Sequence, residues 1–106
     1  MFARSVRVFL KADSVGEFTR ILEKEVIPML RKQQGFQDEI TFRVPGGPEV
    51  IALSLWHEKA NAEAYGRDTY PEVLKSLWRV LDGTPQVSTY EVCTSTFHKI
   101  AAPVAA

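Results

Sequence analysis

Residues 50–70, VIALSLWHEKANAEAYGRDTY, decide the fold, because an apolar strand ends at Trp56 and a helix begins almost at once. Val50 to Leu55 is apolar except for Ser54, and a strand that is wet on one side normally alternates. This strand is therefore expected to be covered on both faces. Ala60, Ala64 and Tyr65 then share a helical stripe. Such a short strand-to-helix link is where pockets open in many α+β folds.

Working upstream, Ser5 to Lys11 reads as a first strand, with Val6, Val8 and Leu10 on one face and Arg7, Phe9 and Lys11 on the other. Ser14 with Glu17 has the spacing of a capping box for a helix over Val15 to Gln34. Pro28 falls inside that helix, where it removes a donor and presses on the carbonyl of Lys24, so a bend rather than a straight rod is expected there. Gly35 is placed to end it in the left-handed conformation. Phe36 to Val44 alternates, Pro45-Gly46-Gly47-Pro48 turns the chain, and the strand of residues 49–56 returns antiparallel.

Downstream, Gly66-Arg67-Asp68 is expected to interrupt the helical pattern. Thr69-Tyr70-Pro71-Glu72 resembles a second capping box. The helix it opens carries Tyr70, Val73, Leu74, Leu77, Trp78 and Leu81 on one stripe, and Gly83 ends it. A β-branched strand follows from Gln86 to Phe97 and contains Cys93, read as a small buried apolar side chain.

The order strand, helix, strand, strand, helix pair, strand predicts an α+β, ferredoxin-like split βαβ plan (β-α-β-β-α-α-β) with a four-stranded antiparallel sheet and strands one and three central. Residues 1–99 are expected to form one domain and residues 100–106 a loose tail. Helices cover one face of such a sheet, so a homodimer through the open sheet face is expected.

The 106 residues carry 13 basic and 13 acidic side chains with no basic cluster, which argues against a nucleic-acid partner. No apolar run approaches the roughly 20 residues of a membrane span, so no membrane partner and a cytoplasmic location are expected. The lone Cys93 and two histidines without a carboxylate at ligand spacing make no metal site.

Leu53-Ser54-Leu55-Trp56, Ala62-Glu63-Ala64-Tyr65, Tyr70-Pro71-Glu72-Val73, Gly83-Thr84-Pro85-Gln86-Val87 and Tyr90-Glu91-Val92, with Pro28 and Gly35-Phe36, resemble the antibiotic biosynthesis monooxygenase-like group. The resemblance covers nearly the whole chain. It implies a dimeric α+β barrel in which each subunit keeps a cavity between sheet and helices. It also implies a monooxygenase that needs no cofactor and acts on a small aromatic or quinol-like ligand. Haem-degrading members of that group carry a Trp, an Asn and an iron-binding His where this chain has Tyr65, Val6 and Lys75, so the haem ligand is missing.

Candidate site residues follow from chemistry. His57 at the strand-to-helix junction is of the type that removes a proton from a phenol, and Tyr65 offers a hydroxyl to a substrate anion. Tyr70 and Trp78 are candidates to wall a flat ligand, and Arg7 to hold an anion. Against these stand ordinary roles: an exposed histidine, aromatic core packing, and an ion pair of Arg7 with Glu91, or with Glu39 across the dimer. The rival to an enzyme is a non-catalytic dimeric module that binds a small molecule or only pairs subunits.

Overall fold

The computed structural model describes residues 1–98; the tail expected at residues 100–106 lies outside them. Strands β1 (Phe2–Phe9), β2 (Phe36–Arg43), β3 (Glu49–Trp56) and β4 (Gln86–Glu91) form one antiparallel sheet in the order β2-β3-β1-β4. This is the ferredoxin-like α+β arrangement read from the element order, with β1 and β3 central.

The first helical arm begins as α1 (Val15–Ile21), passes through a π-helical turn (Leu22–Val26), and continues as α2 (Ile27–Arg31). Where a bend at Pro28 is expected, the helix shows this π-helical turn just before the proline. Ile27 N–H reaches the carbonyl of Leu22, five residues back, just before the proline that has no N–H to give. Gly35 then closes the arm at φ 81°. A Cβ there would stand 2.2 Å from Cγ of Asn61, so only glycine lets the strand start pass beside α3.

Neither of the two expected capping boxes forms. Ser14 donates to the carbonyl of Ala12, while Glu17 accepts from Arg79 at 2.8 Å. Thr69 donates to Gln33 at 3.0 Å, tying the start of α4 (Tyr70–Leu77) to the end of the first arm. The box that does form is Glu58 with Asn61, at the start of α3 (Lys59–Asp68). That helix continues through Gly66 to Asp68, so the expected interruption does not occur.

All helices pack on one face of the sheet. The core joins Val8, Leu10, Val50 and Trp56 of the sheet side to Phe18, Ile21, Leu22, Val26 and Leu30 of the first arm and to Tyr65, Val73, Leu77, Val80 and Leu81 of the second. On the other face Ile51, Leu53 and Leu55 are only half-buried, so β3 is covered on one face by its own chain rather than on two. A bulge between Phe36 and Asp38 sends Ile40, Phe42 and Val44 to that open face as well and turns Glu39 and Thr41 toward the helices. β4 stops at Glu91, short of Phe97, and Cys93 is exposed rather than buried.

Among the described residues no helix is long and apolar enough to cross a membrane. Nor does any group of three or more His, Cys, Asp or Glu stand where it could hold a metal ion.

Candidate functional site

One row of side chains crosses the sheet beneath the helices: Glu39 on β2, Ser54 on β3, Arg4 on β1 and Thr89 on β4 are register partners in turn. With strands about 4.8 Å apart, Glu39 and Arg4 have Cα atoms roughly 10 Å from each other. Aliphatic side chains surround this row. Val6, Val8 and Ala52 come from the sheet, Phe18, Leu22, Val26 and Leu30 from the first arm, and Val73, Leu74, Leu77 and Leu81 from the second. Together they enclose a cavity of about 50 Å³ whose polar atoms come from Arg4, Glu39, Ser54, Tyr65 and Tyr70.

Arg4 is the unusual member. It is 6% exposed, and among the described residues no carboxylate stands within ion-pair distance of it. Its guanidinium carbon lies 4.0 Å from the ring centre of Tyr70 and 5.3 Å from that of Tyr65. Gly66 lies beside it, and a Cβ there would meet Arg4 Nε at 3.6 Å, an ordinary contact. Burial lowers its pKa, the expected sign for a desolvated cation.

The tyrosines respond to the same burial. Desolvation pushes Tyr65 up to about 12, with the nearby Arg4 charge pulling the other way, so its phenol stays protonated at neutral pH. In that state it can donate a hydrogen bond but has no anionic oxygen to act as a base. Tyr70 is raised by burial and partly restored by Arg4. Its hydroxyl is buried and makes no hydrogen bond among the described residues.

At the other end, burial raises the pKa of Glu39, opposed by the Thr41 hydroxyl that donates to its carboxylate at 2.6 Å. Trp56 locks the floor. Its indole N–H donates to Ser54 Oγ at 2.8 Å, and Ser54 donates to the Arg4 carbonyl at 3.3 Å. The Trp56 ring meets Phe36 edge-on at 5.6 Å and Tyr65 at 5.0 Å, and Tyr65 meets Tyr70 at 6.2 Å.

Of the residues singled out by sequence, the structure brings Tyr65 and Tyr70 to the cavity. It puts Arg7 elsewhere. Arg7 alternates to the open face of β1, donates to Glu49 at 2.7 Å and to Gln86 at 3.1 Å, and so does not pair with Glu91. Trp78 begins a 3-10 turn (Trp78–Val80) whose tighter winding brings Val80 inward and leaves Trp78 61% exposed. His57 is exposed and lines no part of the cavity; its backbone N–H donates to Gly35 at 2.7 Å.

The fold therefore defines a class: a ferredoxin-like α+β domain with a small, mostly apolar cavity between its sheet and its helices. No protein-family model and no curated protein matches the sequence. Solved structures do match. They include a protein of unknown function from Nitrosomonas europaea, with TM-score 0.75 at 14% identity over 90% of this chain and 91% of that one. SnoaB, a cofactor-independent oxygenase from Streptomyces nogalater, matches with TM-score 0.72 at 12% identity over 90% and 95%. A monooxygenase from the gene ActVA-Orf6 of Streptomyces coelicolor, in complex with Nanaomycin D, matches with TM-score 0.72 at 17% identity over 84% of each chain. At these identities the likeness is one of fold, and it agrees with the resemblance read from the sequence.

Proposed function

We propose that this protein is a monooxygenase without a cofactor that oxidises a small electron-rich aromatic, phenol or quinol, in the cavity between sheet and helices. The observation that supports this reading is the composition of the cavity: an aliphatic shell with five polar side chains grouped along one cross-sheet row and the two tyrosines above it. A flat ring fits such a shell, and a few polar groups orient it.

In this reading Glu39 accepts the hydroxyl proton of the substrate, because burial tunes a carboxylate toward that task. Tyr65 donates a hydrogen bond to the oxygen that has become negative. The ring anion is itself the reductant of O2. The substrate loses its O–H and one ring C–H hydrogen, one oxygen atom enters as a carbonyl, and the other leaves as water.

A free volume of about 50 Å³ holds a few waters, whereas a benzene-sized guest needs about 150 Å³. Binding a ring must therefore displace part of the wall. Leu74, a half-buried apolar side chain of α4 on the cavity wall, is the part that would give way. The same small volume favours a second reading, a dimeric module with no chemistry of its own.

Oxygen uptake with a panel of hydroquinones and naphthols separates the two. The wild-type protein is expected to consume oxygen with at least one of them, Glu39→Gln to lower kcat by ~100-fold, and His57→Ala to retain activity. Ring binding without uptake by any member of the panel would move the reading to the module.

The partner that completes the molecule in this proposal is a second copy on the open sheet face, where Ile40, Phe42, Val44 and Tyr90 are exposed beside half-buried Ile51, Leu53 and Leu55. Sedimentation should find a dimer for the wild type and a monomer for Phe42→Asp. A monomeric wild type at all accessible concentrations would refute it.

A further inference from the structure

A buried arginine with no counter-charge is a poor device for stability. Desolvating a guanidinium is expensive, and the faces of two tyrosines return only part of the cost. Proteins bury charges with partners, and among the described residues Arg4 has none of opposite charge. The Tyr70 hydroxyl, whose ring lies 4.0 Å from the Arg4 guanidinium carbon, is likewise buried without a hydrogen bond. The approach of the Arg4 guanidinium to the Tyr70 oxygen still leaves the Tyr70 O–H and the other guanidinium N–H groups of that cavity wall without an acceptor among the described residues. The only carboxylate lining that cavity, Glu39, is two strands away in the same row and is already engaged by Thr41.

We infer that the cavity is an anion site whose ligand is a small aromatic carboxylate, with its acid group taken by Arg4 and Tyr70 and its ring lying along the row toward Glu39. The inference rests on reading the cavity as the ligand site, and it narrows the ligand from any electron-rich ring to one that carries an acid at one end. Several observations converge on it. The guanidinium offers donors in a fixed planar fork that matches the two oxygens of a carboxylate, and the tyrosine adds a third donor. The aliphatic shell shields the site from bulk water, which strengthens each of those bonds and penalises a neutral ligand that would leave the cation unanswered. The roughly 10 Å between the Cα atoms of Arg4 and Glu39 leaves space, after both side chains extend inward, for one ring and not for a fused polycycle. A hydroxyl opposite the acid would meet Glu39. The class is therefore a hydroxyaryl carboxylate, such as a hydroxybenzoate or hydroxycinnamate.

The test is a binding measurement and needs no turnover. Calorimetry or chemical-shift titration of the full chain would compare 4-hydroxybenzoate and 4-hydroxycinnamate with their methyl esters and with phenol. The acids are expected to bind at least about 30-fold more tightly than the esters, as the loss of a charged hydrogen-bond pair implies. Arg4→Met should abolish that preference, Arg4→Lys should keep part of it because the charge stays while the fork is lost, and Tyr70→Phe should weaken acid binding by about 3- to 10-fold. Equal affinity for acid and ester, no binding of either, or a preference that survives in Arg4→Met would overturn the inference. Should Arg4→Met fail to fold, Arg4→Lys and Tyr70→Phe still decide it. Acid binding without oxygen uptake would uphold the anion site while removing the oxygenase reading, so the two stand or fall separately.

Discussion

Arg4→Met is expected to leave the protein as stable as the wild type or to raise its stability by about 1–2 kcal/mol, although it deletes a 6% exposed side chain from the cavity wall. The reasoning weighs two terms. The effective penalty for a buried ion is several kcal/mol, and each desolvated cation–π contact with Tyr65 and Tyr70 returns up to about 2 kcal/mol. Methionine keeps much of the volume and carries no charge, so the cavity does not grow by much. For a domain of this size a gain of 1 kcal/mol corresponds to roughly 4–8 °C in Tm. A Tm that falls by several degrees in Arg4→Met would show that the arginine is a structural group, and would weaken the anion site at its base.

The same substitution has a pH signature. In the wild type Tyr65 titrates near 12, above the ordinary value of 10. A phenol whose folded pKa is raised binds its proton more tightly in the folded state, so the stability it contributes is complete below pH 10 and is lost as the pH climbs through 12. Burial is the larger cause and Arg4 opposes it. Removing Arg4 must therefore move the Tyr65 titration further up, which absorbance of the tyrosinate reads directly.

Arg4 also shows what the sequence conceals. Reading the first strand from Ser5 sets the parity of Val6 and Val8 correctly but stops one residue short of the arginine, whereas the strand begins at Phe2 and carries Arg4 on the same face. The signal was present in the alternation, and a charged residue at its inward phase is what hid it. Glu39 was concealed differently. Ile40, Phe42 and Val44 outrank it as core by composition, yet the bulge after Phe36 and the apolar character of the open sheet face reverse which side of β2 meets the helices. Trp78 was misplaced because a period of 3.6 residues was carried one turn into a segment that winds more tightly. By contrast, the strand order and the central pair are legible from the order of elements, and the disturbance at Pro28 and the turn at Gly35 from local chemistry. Gly83, expected to end the second helical arm, lies beyond it at φ 85°: Leu81, the C-cap, is already extended and bridged to Leu10.

Trp56→Ala is expected to cost about 4 kcal/mol or more, which is most of the stability of a domain at the low end of the ordinary range of about 5–15 kcal/mol. Trp56 has no exposed surface and is the largest of the fully buried side chains. Its removal takes away the edge-on contact with Phe36 and the ring contact with Tyr65, which are the joints between β2, β3 and α3. It also strips Ser54 of the donor at 2.8 Å, leaving a buried hydroxyl with a single partner in the Arg4 carbonyl. Trp56→Phe separates these contributions, since the phenyl ring refills part of the space while the N–H remains absent. It should cost about half as much. Urea titration of both variants gives the comparison, and a loss below about 1 kcal/mol in Trp56→Ala would mean that the aromatic chain from Phe36 to Tyr70 does not hold the sheet to the helices. In that event the cavity floor would be free to reshape, and the placement of Arg4 above it would no longer follow from the packing beneath.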